Sequence, residues 1–177
     1  VIMRSLIDAG ADVDRQTNKE YTALILTIRN SIDKHTESKI NILISAGADV
    51  NVQDMGGMTA LMHACTLGRK YCYQVINTDF IMRTLIEAGS DVNILDYNKR
   101  TALMHAIENG RKKTKEVIRC LIEADADVNM QDDDGWTALM YAIEFGHENA
   151  VEIIKMLLEA GADANTQDNF DTTALMY

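Results

Sequence analysis

The chain contains no proline. Over 177 residues its turns must therefore be made by Gly, Asn and Asp. It has only three cysteines, an odd number without metal-like spacing, which argues for a reducing compartment. It also lacks an excess of positive charge: 17 Lys and Arg stand against 27 Asp and Glu, for a net charge of -10. General binding to nucleic acid or to an anionic membrane needs a cationic surface, so neither is an expected partner. Apolar stretches such as Ala23 to Ile28 fall far short of the ~20 residues of a membrane span. The start, Val1-Ile2-Met3-Arg4-Ser5-Leu6, has neither the long apolar stretch nor the small-residue cleavage site of a signal peptide. The expected location is cytoplasmic or otherwise intracellular, with secretion as an effector left open. The hydrophobic share of 47% is that of a folded chain, not a disordered one.

What the sequence does have is repetition. Thr-Ala-Leu begins at Thr22, Thr59, Thr101, Thr137 and Thr173, at spacings of 37, 42, 36 and 36. A second block, Ala-Gly-Ala-Asp-Val-Asn with small variations, begins at Ala9, Ala46, Ala88, Ala124 and Ala160, at the same four spacings. Two separate markers sharing one irregular period define a duplicated unit. The implied architecture is one array over 1–177. It divides into a partial unit 1–16, units 17–53, 54–95, 96–131 and 132–167, and a partial unit 168–177.

Each unit predicts two helices and a turn. The first helix opens at the Thr of Thr-Ala-Leu, a good N-cap, and ends near Gly68, Gly110 or Gly146, where a left-handed glycine is expected. The second carries a wide apolar face, as in Ile40 to Ile44, Phe80 to Ile86, Val117 to Ile122 and Ile153 to Leu158. It ends at Gly10, Gly47, Gly89 and Gly161, with Asp125 in the glycine place of one unit and expected to be left-handed there. Such helices are shorter than the ~12–15 residues at which isolated helices become marginal. The core must form between units, and Ala64, Ala106 and Ala142 let helices approach closely. The fold class is an all-α solenoid.

These residues resemble the ankyrin repeat family. The match is the Asp-x-x-Gly-x-Thr-Ala-Leu-x-x-Ala…Gly…Leu-Leu-x-Ala-Gly-Ala-Asp-Val-Asn pattern, clearest from Asp132 to Asn165 and spread over essentially the whole chain. There are departures. Ala23, Ala60, Ala102, Ala138 and Ala174 stand where the family usually has proline. Ile25, Met62, Met104, Met140 and Met176 stand where it usually has histidine, which puts the family's inter-repeat histidine bonds in question. The units are 3 to 9 residues longer than 33, with the excess placed between the helices, for example Arg69 to Thr78. Two partial end units without polar caps suggest a piece of a longer array.

The resemblance implies helix pairs joined by β-hairpin-like turns. It also implies a non-catalytic protein–protein interaction scaffold whose hairpin tips and first helices form a concave groove. Carried over unit by unit, the partner-binding positions are Tyr21, Arg29, Met55, Met58, Leu67, Tyr97, Arg100, Glu108, Asp133, Trp136, Glu144, Phe145 and Phe170. They include five of the chain's aromatics and its only tryptophan, and Trp, Tyr and Arg dominate binding hot spots. The expected partner is another protein; no cofactor and no small-molecule substrate are expected. The alternative is the targeting arm of a larger multidomain enzyme or effector whose catalytic domain lies outside these residues.

No catalytic or metal constellation is expected. His63 and His105 occupy equivalent places one repeat apart and read as stacked structural positions. Cys65 reads as core. Asp132 to Asp134 lacks the ligand spacing of a calcium loop and reads as a solvated turn. Acids crowd the hairpin turns (Asp49, Asp54, Asp91, Asp96, Asp127, Asp132, Asp163, Asp168). Bases crowd the inter-helix edge (Arg69, Lys70, Arg111, Lys112, Lys113, Lys115).

Overall fold

In the computed structural model, residues 2–30, 35–67, 77–109 and 114–177 are described. Among them are nine α-helices: α1 (Ile2–Asp8), α2 (Ala23–Arg29), α3 (Thr36–Ser45), α4 (Ala60–Cys65), α5 (Thr78–Glu87), α6 (Ala102–Asn109), α7 (Thr114–Glu123), α8 (Ala138–Phe145) and α9 (Ala150–Glu159). Short 3-10 turns cover His147–Asn149 and Ala174–Met176. The expected inter-helix glycines Gly68 and Gly110, Cys72 and the bases Arg69, Lys70, Arg111, Lys112 and Lys113 lie outside the described residues.

The helices form two layers. First helices α2, α4, α6 and α8 stack on one another, and second helices α1, α3, α5, α7 and α9 do the same behind them. Each first helix also packs on the second helix that follows it. One continuous core runs along the seam, built from Leu24, Leu61, Leu103 and Leu139 in the front layer and Ile40, Ile81, Ile118 and Ile153 in the rear. Each such side chain contributes about 1.5–3 kcal/mol by leaving water. The front helices are the more buried: all six residues of α4 are inside. Met62, Met104 and Met140, standing where the family has histidine, are each 1% exposed and fill the core.

Local chemistry sets the helix ends. Thr22, Thr59, Thr101 and Thr137 each accept the N–H of the residue three further on, at 3.3 to 3.5 Å. Second helices close with paired backbone bonds, as from Gly47 N to Ile44 O and from Ala48 N to Leu43 O. Gly10, Gly47, Gly89 and Gly161 have φ near +90°, and Asp125 takes the same role at +62°. Gly146 departs from expectation. It is right-handed, with φ -68°, and its reason is space: a Cβ there would lie 2.2 Å from the Ala142 carbonyl oxygen and 2.8 Å from the Ala150 Cα.

Candidate protein-interaction surface

The turns before the first helices set the front edge of the array. Asp54, Asp96, Asp132 and Asp168 begin them, and all four are buried. That corrects the expectation of solvated carboxylates, for Asp132 in particular. One oxygen of each accepts backbone N–H groups two and four residues on, as Asp96 does from Asn98 at 2.9 Å and Arg100 at 2.8 Å. The other oxygen meets a side chain nine residues on. It is His63 at 2.7 Å, His105 at 2.8 Å, Tyr141 at 2.8 Å and Tyr177 at 2.6 Å. Turn and helix are thus clamped to each other by one carboxylate. The recurrence of Asp with His or Tyr nine residues later was present in the sequence and is the signal that would have revealed it.

The clamp fixes protonation. Arg29 Nη1 lies 3.3 Å from His63 Nδ1 and can only donate, so Nδ1 is the acceptor and Nε2–H donates to Asp54. Burial holds the His63 pKa below its ordinary value, against the pull of Asp54, so the ring is neutral near pH 7. At Asp96, burial works to raise the carboxyl. The bonds from His105 and from the Arg100 and Asn98 N–H groups outweigh it and hold the group below its ordinary range. At Tyr177 the bond to Asp168, then burial, pushes the phenol up to about 12.

Successive tips are tied by backbone bonds: Met55 N to Lys19 O, Tyr97 N to Gly56 O, Asp133 N to Asn98 O and Asn169 N to Asp134 O. Behind them, Asn51, Asn93 and Asn129 each donate to a carbonyl of the following unit and accept one of its N–H groups. Gln53 and Gln131 brace their own turn and the next in the same way. The result is a fixed front edge.

The structure places the expected partner-binding residues in three groups. Met55, Tyr97 and Phe170 are exposed at the tips, by 59%, 66% and 79%. Asp133 is exposed but held by Lys99 at 2.9 Å, and Glu144 is exposed on α8. Tyr21, Arg29, Met58, Arg100, Glu108, Trp136 and Phe145 are half-buried. Arg29 lies 4.5 Å over the Tyr21 ring, and Arg100 bonds Glu108 at 3.0 Å. Trp136 packs with Tyr141, Phe145 and Tyr177 at ring separations of 5.6, 6.2 and 4.9 Å. Leu67 is different: it is 4% exposed, inside the core, and presents nothing to a partner. Asn109, at the same place in the next unit, is buried too, whereas the equivalent Phe145 is half-buried and Asn30 is exposed.

Elsewhere the chemistry is sparse. A concavity of about 360 Å³ between α5 and α7 is lined by Asp79, Arg83, Glu116, Arg119 and Cys120, and Arg83 is paired with Asp79 at 3.4 Å. Burial pushes the Cys65 thiol up to about 12, so it is an inert core group. Among the described residues no three His, Cys, Asp or Glu side chains converge as a metal site, and no helix is long and apolar enough to cross a membrane.

Paired helices in two stacked layers, with a bonded row of turns along one edge, define a helical repeat protein. The chain belongs to the ankyrin repeat family: the family model for ankyrin repeats in three copies matches residues 1–79 and 71–168. The crystal structure of EF0377, an ankyrin repeat protein, is similar with a TM-score of 0.82 and 26% identity, over 99% of this chain and 82% of that one. No curated protein matches the chain. Ankyrin repeats are generally protein-interaction modules and typically non-catalytic.

Proposed function

We propose that this chain is a non-catalytic scaffold that binds a protein partner along the hairpin tips and the exposed side of the first helices. The observation that carries the reading is the line of exposed Met55, Tyr97 and Phe170 on tips that backbone bonds hold in fixed relation. Large apolar side chains exposed on a rigid edge bury area on binding at little entropic cost. None of the three belongs to the core cluster.

That separation supplies the test. Tyr97 and Phe170 lie outside the core cluster, so Tyr97→Ala with Phe170→Ala should keep stability within about 1 kcal/mol of wild type. Binding to peptides selected on the full chain should fall about tenfold or more. Unchanged binding would remove the tips from the interface. Trp136→Ala with Phe145→Ala is a poorer probe, because both rings sit in a packed cluster with Tyr141 and their loss would also loosen the fold.

A further inference from the structure

The two positions four and twelve residues after the turn-opening residue show where the array uses arginine. In the unit beginning at Thr17 they are Tyr21 and Arg29, and the guanidinium covers the ring at 4.5 Å. In the unit beginning at Asp96 they are Arg100 and Glu108, an ion pair at 3.0 Å. The arginine also acts on the clamp residue nine places into the next unit: Arg29 lies 3.3 Å from His63 Nδ1, and the Arg100 charge is felt at the Tyr141 hydroxyl. Between these units stand Met58 and Thr66, a neutral pair.

In the unit beginning at Asp132 the same positions hold Trp136 and Glu144. One is the aromatic that elsewhere takes a guanidinium, and the other is the carboxylate that elsewhere takes one. Tyr177 stands at the third place, 4.9 Å from the Trp136 ring, and the Glu144 charge acts on its phenol. All three groups that receive an arginine are present together, and Glu144 makes no ion pair with a described residue. Toward this end of the chain the sequence has little positive charge. From Glu123 to Tyr177 it has thirteen carboxylates, no arginine and one lysine, Lys155, which lies on the rear helix α9. Exposed Asp134 and Asp171 on the adjoining tips extend the negative field.

We infer that the partner places an arginine side chain against Trp136, Glu144 and Tyr177, completing in trans the arrangement that Arg29 and Arg100 complete in cis. The site deepens the proposed scaffold function and rests on it. The partner segment is a basic polypeptide, and its guanidinium stacks on the indole while donating to the carboxylate. Lysine fits less well, since both internal examples use the planar guanidinium.

The test is selection of random displayed peptides on the full chain, with binding read from the fluorescence of Trp136, the only tryptophan. Selected peptides should share an arginine. Replacing it with citrulline, which keeps the shape and loses the charge, should weaken binding about tenfold, and Glu144→Gln should do the same. Glu144 is exposed, so the substitution leaves the fold intact, which a thermal melt verifies. Peptides without arginine, or insensitive to both changes, overturn the arginine site. If those peptides are still lost in the Tyr97→Ala, Phe170→Ala variant, the tip interface stands without it. Peptides insensitive to every variant, or no selected peptide at all, overturn both.

Discussion

Asp54 and Asp96 are clamped by imidazoles, whereas Asp132 and Asp168 are clamped by phenols. The carboxylate does the same structural work in both halves of the array. It gathers two backbone N–H groups of the turn with one oxygen and bonds the first helix with the other. The partner decides what else the interface can do. An imidazole brings a titratable group into the core and, at His63, takes a bond from Arg29. A phenol stays neutral over the working pH range and adds an aromatic ring. That ring is what lets Trp136 build its cluster with Tyr141 and Tyr177, so the second half presents a more aromatic and more acidic front than the first.

The comparison is broken most severely at the carboxylate itself. Asp96→Ala removes the acceptor for His105 and for two backbone N–H groups, and it strands Arg100 Nε, whose nearest carboxylate oxygen is Asp96 Oδ2 at 3.6 Å. Each buried donor left unpaired costs about 1–3 kcal/mol, so losing several at once takes a large part of a total of about 5–15 kcal/mol. Asp132→Ala leaves a neutral hydroxyl and backbone donors unpaired, for a smaller loss. Denaturant titration of both variants measures the difference. Equal losses would mean that the backbone bonds, and not the side-chain partner, carry the clamp.

A second contrast lies within the tips. Residues three places after the turn opening are left-handed throughout: Glu20, Gly57, Lys99, Gly135 and Asp171 have φ between +57° and +82°. Side chains at three of them show that the conformation alone is tolerable. Gly135 is constrained by its neighbour instead, because a Cβ would lie 2.8 Å from Asn169 N and 2.9 Å from Asp168 Cα. Gly135→Ala should therefore cost about 2–4 kcal/mol, the conformational strain plus a displaced tip. Gly161→Ala meets open space, with nothing within 4 Å, and should cost only the ~1–2 kcal/mol of the left-handed backbone. Thermal melts that rank the two the other way would remove tip-to-tip contact from the account of rigidity.

Acid should act unequally on the two halves. The His63 pKa is lowered in the folded protein, first by burial, with Arg29 and His105 opposing protonation and Asp54 favouring it. The unfolded chain therefore binds a proton more readily, and the stability from the neutral ring is lost as pH falls below the ordinary value of 6.5 and through the folded value. His63→Tyr copies what positions 141 and 177 already carry. It should flatten the decline of the denaturant midpoint below about pH 6.5. A curve as steep as wild type would place the acid sensitivity in the carboxylates alone, Asp96 among them.

Much of the framework was legible before any coordinates. The threonine caps, the left-handed glycines that end the second helices and the left-handed Asp125 follow from residue chemistry that acts over four or five positions, whereas the right-handed Gly146 does not. The clamp was missed because its two ends lie nine residues apart, on a turn and a helix, and because an aspartate in a polar turn reads as solvated. Leu67 was misplaced as well. It was carried over as a first-helix position of the resemblance, while in the structure it is 4% exposed and part of the core. The contents of the candidate interface were named almost entirely from the resemblance. Which of those residues are already occupied by one another, as Tyr21 is by Arg29, depends on contacts between side chains and was not legible.

The smallest expected effect tests whether the front edge is assembled from repeated parts. Gln16, Gln53, Gln131 and Gln167 stand immediately before the turns, and the equivalent residue in the remaining unit is Leu95. Gln53 donates to Gly57 O at 2.6 Å and to Leu95 O at 2.8 Å, and Gln131 donates to Gly135 O at 2.6 Å and to Gln167 O at 2.9 Å. Leucine can make neither bond, so the side-chain bracing is interrupted between the units that begin at Asp96 and Asp132. Leu95 is half-buried and does not belong to the core cluster, so little packing is lost by replacing it. Leu95→Gln should donate to the carbonyls of Lys99 and Gln131 and stabilise the protein by about 0.5–1.5 kcal/mol. Slower amide exchange around residues 95–99 and 131 should accompany the gain. A loss of stability would show that leucine contributes to the interface by contacts that outweigh two hydrogen bonds.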